Sequence, residues 1–141
     1  HSLVGKPVLA DDSGLVVPAL GGEPGVYSAR YGSEEAGREL SSEERNALLL
    51  KRMRGMADRA GFFVCCMVLY LSDERFFIVQ ETLEGLISEK PRGTGGFGYD
   101  PLLYLPKLGK TVAELPSEEK NRLSHRGKAC MGIARILNGI A

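Results

Sequence analysis

The chain has no excess of charge of either sign: Lys+Arg 18 balances Asp+Glu 18 across 141 residues. Without a global field, nothing in the charge balance recruits nucleic acid or an anionic membrane, and an anionic partner must be held by local cations. No apolar run reaches the length of a membrane span, and the first residues show neither the basic nor the apolar segment of a signal peptide, so a cytoplasmic setting is expected. Cysteine is scarce. Cys65, Cys66 and Cys130 form no C-x-x-C or Cys/His ligand pattern, and buried free thiols are expected in place of a disulfide or a zinc site. Internal repeats and Pro/Ser-rich linkers are also absent, which leaves a single domain over 1–141 built on one core. A composition of 43% hydrophobic and 26% charged residues excludes a disordered chain.

The apolar pattern mixes strand and helix signals. Val8 to Ala10 reads as a short buried strand, Asp11 to Gly14 as its punctuation, and Leu15 to Val17 as a second apolar segment. Phe62 to Leu71 is a continuous aromatic and branched run, expected to be a central strand covered on both faces. Phe76 to Thr82 reads as its hairpin partner across polar Ser72 to Arg75, and Tyr104-Leu105 as one more short strand. Ser41-Ser42-Glu43-Glu44 is a capping box that opens a helix running to about Met56, with Leu48, Leu49, Met53 and Met56 on its buried face. Ser117 and Ser124 mark two further helix starts, the second leading into a stripe of Cys130, Ile133 and Leu137. Val26 to Tyr31 is too short to assign by period. An α/β domain is the expected class.

Chemistry concentrates in three places. The adjacent carboxylates Asp11 and Asp12, with Ser13 and Gly14, suit a site that holds a cation or activates a water. Neighbouring strand residues face opposite ways, so the two carboxylates are not equivalent unless the backbone turns between them. Gly93-Thr94-Gly95-Gly96-Phe97-Gly98 satisfies G-x-G-x-x-G, the dinucleotide-binding pattern. That pattern requires a helix to open at its end, whereas Tyr99-Asp100-Pro101 follows, and Pro101 disfavours helix at Asp100. The glycines instead leave Phe97, with Tyr99 and Asp100, as a platform for a flat aromatic ligand, unless Phe97 simply packs into the core. The third place is a basic half containing Lys120, His125 and Arg126, where Ser117-Glu118-Glu119-Lys120 matches S-x-x-K but reads as a helix cap.

Together, Ala10-Asp11-Asp12-Ser13-Gly14-Leu15, the segment Leu20 to Tyr31, Gly93 to Pro101, and Ser124-His125-Arg126-Gly127 resemble the inosine triphosphate pyrophosphatase family, also called Ham1-like. The resemblance implies a mixed twisted sheet flanked by helices, with two lobes around a substrate groove. It implies hydrolysis of ITP, dITP and XTP to the monophosphate and pyrophosphate, a magnesium cofactor, and a homodimer. It makes Asp12 the general base and metal-site carboxylate, with Asp11 in support. Ser13, Phe97, Gly98, Tyr99, Asp100, Lys120, His125 and Arg126 become substrate contacts, and Arg30 a further phosphate contact. Selectivity then rests on the 6-oxo group, an acceptor where adenine presents an amino donor.

Against the family pattern, His1 to Lys6 leads almost directly into the Asp-Asp motif. The Ser/Thr-x-Asn-x-x-Lys phosphate motif, a glutamate-bearing helix and its lysine have no match, and the N-terminal part is expected to be absent. The alternative is accordingly a nucleotide-binding remnant with little turnover.

Overall fold

The computed structural model describes residues 5–140; His1 to Val4 and Ala141 lie outside the described residues. The elements are β1 (Val8–Val16), α1 (Ser33–Ala36), α2 (Ser42–Arg52), β2 (Ala60–Ser72), β3 (Arg75–Ile87), β4 (Leu103–Leu105), β5 (Lys110–Thr111), α3 (Ser117–Leu123) and α4 (His125–Ile140). A 3-10 turn at Gly25–Arg30 occupies the segment whose period was unreadable.

The five strands lie in sequence order, and every pairing is antiparallel. This corrects the mixed sheet expected from the resemblance: β2 and β3 form a hairpin, and the long connection from β1 to β2, which carries α1 and α2, and the loop from β3 to β4 both return the chain antiparallel to the strand before. β1 is also continuous through Asp11 to Gly14. Asp12 sits opposite Cys66 and Gly14 opposite Val64, so the carboxylates belong to a strand and not to a junction between two.

The hairpin of β2 and β3 turns at Asp73 and Glu74, tighter than the four polar residues suggested, after an irregularity between Tyr70 and Ser72. Its two faces differ. Phe63, Cys65, Met67 and Leu69 are buried, whereas the alternate residues are only half-buried and their β3 neighbours Phe76 and Ile78 are exposed. β2 is therefore fully covered on one face and not on both. α4 supplies part of that cover through Ala129 and Ile133, with Ile136 and Ile140 half-buried behind them. Of the expected Cys130, Ile133 and Leu137 stripe, Ile133 is buried, whereas Cys130 and Leu137 are exposed and Ala129 and Ile136 pack in their place. Of the cysteines, only Cys65 is fully buried, and burial pushes its thiol up.

A larger cluster gathers Leu15 and Phe63 of the sheet and Val17 just past β1 with Leu49 of α2, Met53 at its C-terminal cap, and Tyr99, Leu102 and Val112 of the C-terminal half. Burying Leu49 alone removes enough apolar surface to contribute about 2 kcal/mol. The buried residues thus form two clusters where one core was expected, because α4 packs its own small set of residues onto the sheet apart from the larger one. α2 begins as expected, since Glu44 N–H donates to Ser41 Oγ and Ser41 N–H to Glu44 Oε2, but it stops at Arg52, short of Met56. Ser117 lies inside α3, whose cap is Pro116; Ser124 does cap α4, accepting the Gly127 N–H at 3.0 Å.

Candidate functional site

Where α4 meets the larger cluster, the fold leaves a cavity of about 700 Å³. Three segments remote in sequence form its walls: Ser13 and Gly14 of β1, Phe97 to Asp100 of the glycine loop, and Lys120 with His125 and Arg126 at the α3–α4 junction. α2 adds Ser42 and Arg45, which motif reasoning missed.

The glycine loop is pinned from several elements. Asp100 is 3% exposed, and its Oδ2 accepts the Phe97 N–H at 2.8 Å and Lys120 Nζ at 2.6 Å. Gly96 has φ +74, and a Cβ there would lie 2.0 Å from Asp100 Oδ2, so both the backbone angle and the close approach require glycine. The Tyr99 hydroxyl donates to Ser28 O at 2.9 Å, and burial holds this phenol well above its ordinary range. Asn46 of α2 donates from Nδ2 to Gly98 O at 3.1 Å.

Held this way, Phe97 is 67% exposed, which decides between platform and core packing. Lys120 Nζ lies 4.7 Å and Arg126 Cζ 5.8 Å from its ring centroid, within cation–π range. His125 stacks on Phe63, with ring centroids 4.9 Å apart. Burial first, then the charges of Arg126, Lys120 and Lys128, push its pKa down to about 4. Its imidazole is accordingly neutral near pH 7, and its Nδ1 is a buried polar atom without a protein partner.

The two carboxylates part company. Asp11, on the face of β1 that turns toward α4, accepts from Arg126 Nε and Nη2, both at 2.9 Å. Asp12 faces the other way, is exposed, and accepts only the adjacent Ser13 N–H on Oδ1, at 2.9 Å. Among the described residues, no three His, Cys, Asp or Glu side chains gather into a metal cage. A single open carboxylate does fit magnesium, which takes one or two protein carboxylates and completes its shell with substrate phosphates and water. Arg30 does not line the cavity; its guanidinium lies 4.9 Å over the Tyr27 ring.

Residues 1–136 match the family model described as the Ham1 family. A dITP/XTP pyrophosphatase of Treponema denticola is 52% identical over 139 residues, covering 99% of this chain and 71% of that protein. One from Thermus thermophilus is 56% identical over 127 residues, covering 89% of this chain and 59% of its own length. In Nitrosomonas europaea the shared region is 65% of the relative's length, so the chain spans roughly three-fifths to seven-tenths of the curated proteins it matches. Among solved structures, the Staphylococcus aureus Ham1 protein aligns with a TM-score of 0.92 at 40% identity, over 100% of this chain and 71% of that one. A HAM1 protein from Coxiella burnetii aligns at 0.89 and 39% identity, over 96% and 69% respectively. Motif order, five-stranded sheet and matched length agree: the chain belongs to the Ham1 family.

Proposed function

We propose that this protein hydrolyses non-canonical purine nucleoside triphosphates, dITP, XTP and ITP, to the monophosphate and pyrophosphate. The observation that carries this reading is the cavity itself, which joins an exposed aromatic platform, a ring of cations and the Asp-Asp strand, drawn from three motifs far apart in sequence. The relatives' names support dITP and XTP as substrates, and none of those compared supports a remnant without turnover.

In this reading the purine stacks on Phe97, opposite neutral His125. The donors of Arg126 and Lys120 meet the 6-oxo edge; a 6-amino group in its place leaves them unpaired, a cost that discriminates against ATP. β1 is an edge strand of the described sheet, and the triphosphate crosses that edge from Ser13 toward Asp12. Asp12 orients a water and takes its proton while the water oxygen bonds the α-phosphorus. The bond from that phosphorus to the bridging oxygen breaks, its electron pair leaves with pyrophosphate, and Asp12 returns the proton to solvent. Asp12 would hold magnesium when it is bound, and the ion would supply neutralisation of the charge on the leaving group. Arg126 is fixed by Asp11, which gives Asp11 its supporting part, and Arg30 reaches the phosphates only by leaving Tyr27. The homodimer implied by the resemblance and the cytoplasmic setting expected from the sequence belong to the same reading. No helix among the described residues is long and apolar enough to cross a membrane.

The test is magnesium-dependent pyrophosphate release. Release from XTP and dITP much faster than from ATP, abolished by Asp12→Asn, is expected. Binding of ITP without release would point to the remnant instead, and binding of NADH in place of ITP to a dinucleotide protein.

A further inference from the structure

Of the four side-chain hydrogen bonds that pin the glycine loop, three use side chains of the family motifs or of the loop itself. The fourth comes from α2. Asn46 is 5% exposed, lies 52 residues before Gly98 in the chain, and its Nδ2 donates to Gly98 O at 3.1 Å. Its Oδ1 is buried with no protein partner. Burying an unsatisfied amide oxygen costs stability that an apolar side chain of similar volume avoids, so this asparagine is explained by its donor and not by packing.

The bond falls on the weakest joint of the loop. Phe97 is fixed through its N–H by Asp100, and Tyr99 through its hydroxyl by Ser28. Gly98, between them, has φ +58, lies inside the turn closed by the Asp100 N–H to Phe97 O bond at 3.1 Å, and has open space where a Cβ would sit, so nothing packs against the residue itself. Among the described residues, the donor to its carbonyl is Asn46. That carbonyl belongs to the central peptide of the turn that carries Phe97.

We propose that Asn46 is a positioning residue: it holds the Gly98 peptide so that the Phe97 platform faces His125 and Arg126. The functional half of this inference rests on the proposed nucleotide chemistry; the strut itself does not. Loss of the strut impairs purine capture before chemistry, so KM rises while kcat stays nearly constant.

Asn46→Leu removes the donor at similar volume. Asn46→Asp puts a carboxylate against the Gly98 carbonyl at pH 7.5, but its protonated form can donate at about pH 5, near the upper range of perturbed carboxylates. For XTP, both variants should show a KM raised about tenfold at pH 7.5 with kcat within about twofold of wild type. Relative to wild type at the same pH, Asn46→Asp should recover as pH falls to about 5, and Asn46→Leu should not. Hydrogen exchange of the 93–100 amides, read by mass spectrometry on the same proteins, should accelerate in both variants at pH 7.5 with the rest of the chain unchanged. Unaltered exchange in that loop overturns the strut, as does loss of the whole fold in both variants, which would make Asn46 structural only. Faster loop exchange with unchanged KM overturns the positioning role. If wild type releases no pyrophosphate, the enzymatic reading fails, and loop exchange still decides the strut.

Discussion

Asp100→Ala isolates the buried carboxylate that ties the glycine loop to α3. The substitution removes two charge-assisted bonds, to Phe97 N–H at 2.8 Å and to Lys120 Nζ at 2.6 Å, from a side chain only 5% exposed. What remains is a buried N–H without its acceptor and an ammonium, 19% exposed, without its counter-charge. Breaking one partner of a buried ion pair costs about 3–5 kcal/mol. Partial access of Lys120 to water places this case at the lower end, about 3 kcal/mol. The Asp11–Arg126 pair calibrates the argument within the same protein, because its side chains are 38% and 45% exposed, and Asp11→Ala should cost at most about 1 kcal/mol. Equilibrium urea unfolding at pH 7 measures both. Asp100→Asn should fall between them, retaining an oxygen for Phe97 N–H but no charge for Lys120. An Asp100→Ala variant within about 1 kcal/mol of wild type, or indistinguishable from Asp11→Ala, would refute the claim that this pair anchors the platform.

Two further outcomes follow from burial and contact. His125 is neutral in the fold, with a pKa of about 4 against an ordinary 6.5, so the unfolded chain binds its proton first as pH falls. Stability should therefore be fully present above about 6.5 and decline toward 4, losing about 1–2 kcal/mol by pH 5 after allowance for partial exposure. The pH dependence of urea unfolding in His125→Gln should be flatter by that amount, and equal slopes in the two proteins would sink the assignment. Gly14→Ala places a Cβ 2.4 Å from Gly25 O and should destabilise by about 1–3 kcal/mol, read as a lowered urea midpoint; a change below about 0.5 kcal/mol would show that the 3-10 segment yields freely.

Local signals were legible in proportion to how locally they are satisfied. The capping box needs only Ser41 and Glu44, and it forms as the sequence implies. The β2–β3 hairpin follows from two apolar runs and a polar turn, although which face is covered depends on α4, far along the chain. Gly14 looked like punctuation because glycine breaks strands; it sits inside one because Gly25 leaves no room for a side chain. Cys130 fitted an apolar stripe, yet helix rotation on the sheet is set by Ala129, small enough for close approach. At the site, Ser13, Phe97 to Asp100, Lys120, His125 and Arg126 line one cavity, whereas Asp11, Asp12 and Arg30 lie outside its lining. Arg45 and Asn46 carry no motif, and their place is fixed only when α2 docks against the glycine loop.

The alternation of β1 has a consequence for how this protein tolerates change. Asp11 and Asp12 are chemically identical, and only the pleat separates the carboxylate that grips Arg126 from the one that stands open. A one-residue insertion or deletion upstream that slid β1 along β2 would reverse every facing residue of the strand. The strand's own residues would be unchanged, yet Arg126 would receive the wrong carboxylate and Ser13 would leave the cavity wall. The nine paired positions from Val8 to Val16 thus act as a reading frame for the site, and a frame error there is a chemical mutation without any substitution.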